Sequence, residues 1–159
     1  MQKKELGVIG NIFAIIALFV MGYNVAPGYG ETLRGESQWE GTAVPACGSE
    51  DVIFSGVLKF SIQFHADKDD NFRQETHLKS HETRGVGVES GTKYIIHATV
   101  KQTQESQSDG ATITNVLKGS FIAKGSSINT QVTIHTVTVF DENGIPKTTV
   151  SDTDIKCNG

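Results

Sequence analysis

Five histidines (His65, His77, His81, His97 and His135) and two cysteines (Cys47 and Cys157) are the side chains of this 159-residue chain whose types suit metal binding or nucleophilic chemistry. His77 and His81 stand four apart. On a helix that spacing would place them side by side, but on an extended strand it separates them by about 13 Å on one face, too far to share an ion without a sharp bend. If Phe60 and Leu78 share a core face, odd-numbered residues pair across the first hairpin, and His65, Arg73, Glu75, His77 and His81 all point outward. That pattern describes a solvated, charged face; a zinc or copper site built from His65, His77 and His81 is the competing reading.

Asp67-x-Asp69-x-Asn71 opens like a calcium-binding loop and then departs from it. Phe72 stands where the loop needs Gly and Leu78 where it needs a bidentate Glu, so the segment reads as a hairpin turn. Gly-x-Ser-x-Gly is absent, as is a Gly-rich loop ending in Lys-Ser or Lys-Thr, so no catalytic residue is nominated and no cofactor is implied. The scattered Asp, Glu and His residues leave room only for an enzyme assembled at a barrel mouth. Formal net charge is −4, and without a basic stripe the chain is not a nucleic-acid binder, because phosphate contacts need clustered Lys or Arg.

The elements that must position these residues are strands. Leu58, Phe60, Ile62 and Phe64 alternate with Lys59, Ser61, Gln63 and His65, a period of two that a helix cannot present as one face. The run 54–66 turns through 67–71 into 72–83. A second hairpin joins 93–105 to 111–122 through Asp109-Gly110, and a third joins 128–140 to 145–157 through Asn143-Gly144. In 128–140, Val132 and Ile134 are out of phase with Val137 and Val139, which predicts a bulge near His135 or Thr136. Gly85, Gly87 and Gly91 predict a bend, a bulge or a close backbone approach. Gly is frequent at 17 and Pro scarce at 3, and the length fits one domain of the usual 100 to 200 or so residues. The fold class expected is therefore all-β, about six antiparallel strands curled into a small barrel or rolled sandwich over residues 47–159.

Ahead of that domain, Lys3 and Lys4 precede an apolar helix. Its core, 6–21, is longer than a typical signal-peptide core and shorter than the roughly 20 residues that span a bilayer. Residues 1–30 thus read either as a signal peptide, removed near Ala26 to Gly30, or as a retained anchor tethering the chain to a membrane through residues 6–23. Residues 31–46 read as a polar linker, with Trp39 packing it onto the domain. Either reading of the leader exports the chain to an oxidising compartment. There Cys47, just before the first strand, and Cys157, at the end of the last, are expected to form a disulfide across neighbouring end strands. A free thiol nucleophile or a pair of metal ligands are the alternatives.

Cys47-Gly48-x-Glu50 ahead of Ser55-Gly56, then Gly85-x-Gly87-x-x-x-Gly91-x-x-Tyr94 and a closing Cys157, resembles an uncharacterised family of small secreted bacterial β-rich proteins. The resemblance implies secretion and an all-β domain, and it carries no functional residue. Together these readings lead to the expectation of a secreted or extracytoplasmic domain with a binding or structural role in the cell envelope or extracellular space. A β-barrel interior that carries a small apolar ligand is the alternative, followed by the barrel-mouth enzyme.

Overall fold

The computed structural model describes residues 32–66, 71–125 and 129–158. The N-terminal apolar helix, the two readings of residues 1–30 and the acidic turn at 67–70 lie outside these residues. Seven strands form one antiparallel sheet in strict sequence order: β1 (Thr32–Ala43), β2 (Val52–Ala66), β3 (Phe72–Gly87), β4 (Lys93–Gln107), β5 (Gly110–Ala123), β6 (Asn129–Asp141) and β7 (Pro146–Asn158). The three expected hairpins are β2–β3, β4–β5 and β6–β7. Their turns use the residues the sequence offers for them. Gly110 and Gly144 take positive φ, and the Asp141 carboxylate accepts the amides of Asn143 and Ile145, each at 2.9 Å.

Two expectations about the architecture are corrected. Residues 32–43, expected within a polar linker, are β1, paired with β2 without interruption from Thr32↔Gln63 to Ala43↔Val52. With β1 the strand count becomes odd, so β1 and β7 run in the same direction. Closing them into a barrel would require a parallel pair in an otherwise antiparallel sheet. The sheet is neither closed nor folded into a two-sheet sandwich: each pair of successive strands is bonded, and β1 and β7 are its edges. It nevertheless coils. A flat single sheet would leave both faces wet, yet Val52, Thr83 and Thr130 are almost wholly inaccessible.

The concave face is laid down in rungs across the strands. Phe60, Leu78, Val100, Leu117 and Ile134 are successive register partners and form the apolar rung, with Leu78 and Val100 buried at its centre. Phe60 lies over Gly35 and Phe54 over Gly41, while Trp39 is opposite Gly56. Each aromatic ring between β1 and β2 therefore covers a residue without a side chain. The next rung up is polar: Thr76, Gln102, Asn115 and Thr136 are all buried, as is Gln74 one rung higher.

The bulge expected near His135 is absent, since β5 and β6 stay in register from Gly110↔Asp141 to Ile122↔Asn129. Val132 and Ile134 lie on the concave side and Val137 and Val139 on the convex one. The bulge is instead in β3, where both neighbouring ladders shift, between Lys79 and Arg84 on the β4 side. Glu82, the non-glycine residue with positive φ (52°) among the described residues, sits within it. The extra residue turns Thr83 inward, and a Cβ on Gly56 would overlap the Thr83 side chain. Ser80 repairs the interrupted ladder: its hydroxyl accepts the Ala98 amide at 2.7 Å and donates to the Ile96 carbonyl at 3.4 Å.

Candidate functional site

The most heavily constructed region is the end of the sheet where β1 meets β2, β3 meets β4, and β7 terminates. The 44–51 segment crosses this end and is fixed at two points. At the first, Cys47 is bonded to Cys157 with Cα atoms 5.6 Å apart, and its amide donates to Thr130 Oγ1, the buried register partner of Cys157. The disulfide expected from the sequence is present, but it does not join adjacent end strands. It runs from the β1–β2 connection, across the open end of the coil, to the far edge strand.

The second anchor is Glu50. Its carboxylate accepts the amides of Glu89 (3.1 Å) and Ser90 (2.9 Å), the Ser90 hydroxyl (2.6 Å) and the Tyr94 hydroxyl (3.3 Å), all from the β3–β4 turn and its flank. The hydrogen bonds from Ser90 hold the Glu50 carboxyl below its ordinary range, while burial first and the neighbouring carboxylate second push the Tyr94 hydroxyl up. Gly87 has no side chain because a Cβ there would fall on the Glu50 carboxylate. Gly85 and Gly87 thus mark close approaches, of Val52 and Glu50, whereas Gly91 meets nothing and takes positive φ in the turn. An open depression of about 270 Å³ lies beside Glu50, Ser90 and Tyr94. The Glu50 carboxylate in it is spent on fixing the turn.

The histidines occupy the convex face. His65 is opposite Arg73, while His77 and His81 are exposed along β3, with His81 at the entry to the bulge. His135 pairs across to Asp152 and Val116. Among the described residues, no three His, Cys, Asp or Glu side chains converge on a position that could hold a metal ion. Arg73 bridges Glu75 at 2.7 Å and Glu105 at 3.5 Å, and His77 Nε2 lies 3.9 Å from Glu75. A second depression, about 350 Å³, lies at that end between His65, Phe72, Arg73 and Glu105. Its cation is already matched by carboxylates.

Trp39 does pack onto the domain, as expected, with its ring 4.7 Å from that of Phe54 and its indole N–H donating to Thr83 Oγ1 at 2.9 Å. The polar rung was missed by sequence reasoning. Gln74 donates to Thr76 and Asn115 to Thr136, while Gln102 Oε1 and Asn115 Oδ1 accept no hydrogen bond among the described residues. The available signal was their phase: Gln74 and Thr76 share parity with Leu78, and Gln102 with Val100. No family model, curated protein or solved structure matches the chain.

Proposed function

We propose that the chain is an exported β-sheet domain that acts by binding or as a structural component of the cell envelope or extracellular space, in line with its resemblance to small secreted bacterial β-rich proteins. The observation that carries this reading is the Cys47–Cys157 bond, which ties the first connection to the last strand across 110 residues. A staple of this kind persists outside the reducing cytoplasm. The side chains best placed for chemistry support a non-catalytic role, because Glu50 and Arg73 are consumed by local contacts. An apolar-ligand carrier is less well supported, since Gln74, Gln102 and Asn115 occupy the concave face that such a ligand would need.

Fractionation of the native host, with alkylation of thiols before and after reduction, tests the proposal. The chain should be found outside the cytoplasm with both cysteines blocked until reduced. A pool that is cytoplasmic and fully alkylated without reduction refutes it. Intact mass then separates the two leader readings: loss of about 26 to 30 residues marks a signal peptide, and Met1 or Gln2 on the membrane-bound form marks an anchor.

A further inference from the structure

The two edges of the sheet are not equivalent. β7 carries the features that discourage edge-to-edge pairing: Pro146 at its start, a register shift against Phe140, and a run containing Asp152, Asp154 and Lys156. If two copies of β7 paired antiparallel about its middle, Asp152 would face Asp152. β1 has neither proline nor bulge and pairs with β2 along its whole length. Its convex-face charges, Arg34, Glu36 and Glu40, are exposed, and among the described residues none of them is in an ion pair.

We infer that β1 is a self-association edge, its partner a second copy of this chain in an antiparallel pair centred on Ser37. Antiparallel pairing of a strand with itself generates a two-fold axis, and with the axis at Ser37 each Arg34 faces Glu40 of the second copy, so the complementary pair occurs twice. Glu36 then faces Gln38. On the concave side the register partner of Trp39 is Gly35 of the second copy, so the indole, which leans toward Phe54 and Thr83, meets no opposing side chain. Moving the axis by one residue toward Gln38 sets Glu36 against Glu40 twice, and moving it toward Glu36 sets Glu36 on Glu36. An axis at Gly35 would also set Arg34 against Glu36, but it leaves only Thr32–Gln38 of β1 paired, so charge and overlap together favour the register centred on Ser37. The product is a continuous fourteen-stranded sheet with the protected β7 edges outermost. A single strand pair is a small interface, so the dimer belongs to the concentration-dependent class.

Sedimentation of the full chain over a wide concentration range, with three variants, tests the inference. The wild type should show a monomer–dimer equilibrium. Arg34→Glu should raise its dissociation constant roughly tenfold or more, because two attractive pairs become repulsive. Arg34→Glu combined with Glu40→Arg should restore it. Ser37→Cys should give a disulfide-linked dimer on mild oxidation, since facing Cα atoms in an antiparallel pair lie about 4.5–5.5 Å apart. A wild type that stays monomeric throughout overturns the inference. So does association indifferent to the single reversal, or not restored by the double exchange, because association through any other surface has no reason to follow these charges.

Discussion

Replacing both Cys47 and Cys157 with Ala isolates the contribution of the bond that spans the open end of the coil. All thirteen residues of β7 are exposed, so beyond its ladder with β6 the strand has little to hold it in place. In the chain-entropy description, a closed loop of 110 residues restricts the unfolded chain by about 16 cal/mol/K, or about 4.8 kcal/mol at 25 °C. The Cys47 amide bond to Thr130 and the Glu50 contacts remain in the variant, so the end should loosen rather than dissolve. Urea unfolding followed by the fluorescence of Trp39, the sole tryptophan, reports on β1 packing directly. The urea dependence should steepen slightly, because the unbridged chain unfolds to a more open ensemble, and the comparison is therefore made on extrapolated free energies. Amide exchange should accelerate first in β7 and around Thr130. A loss below about 1 kcal/mol would rule out loop closure as the main source of the bond's stabilisation, since it would mean that the unfolded chain gains almost nothing from release of the loop.

Gly56→Ala should destabilise by about 1–3 kcal/mol or more, measured by the same denaturation, because its Cβ must displace the bulged Thr83 and disturb the Trp39 hydrogen bond. Leu78→Ala should cost about 2–5 kcal/mol in that assay, as it empties the centre of the apolar rung. Glu50→Gln should flatten the acid limb of stability measured against pH. The folded carboxyl is held below its unfolded value, so its contribution is complete above the unfolded value and disappears as pH falls through the depressed one. An acid limb of the same shape in the variant would exclude Glu50 as its source.

Local order was legible wherever one face alternated with the other. The period-two run through Leu58, Phe60 and Ile62, the turn chemistry at Asp109-Gly110 and Asn143-Gly144, and the two-cysteine count determined six strands, three hairpins and the disulfide partners. What escaped was whatever depended on a neighbour. β1 lacks an apolar stripe of its own because Gly35 and Gly41 sit under Phe60 and Phe54, so its strand character lies partly in β2. The bulge fell in β3 rather than β6 because inward room for Thr83 exists only opposite Gly56, a fact about two strands at once.

The same distinction governs the ends of the sheet and the candidate site. Composition and spacing determine that residues 47–159 are all-β and that Cys47 has one possible partner, because propensity, period and residue count are properties of short segments. Tertiary structure alone decided that β1 and β7 run in the same direction and that the sheet stays open. It also decided that the bond crosses the end of the coil instead of joining neighbours. Direction and adjacency of edges depend on the total number of strands, and that number changed once Trp39 and its glycines were paired with β2.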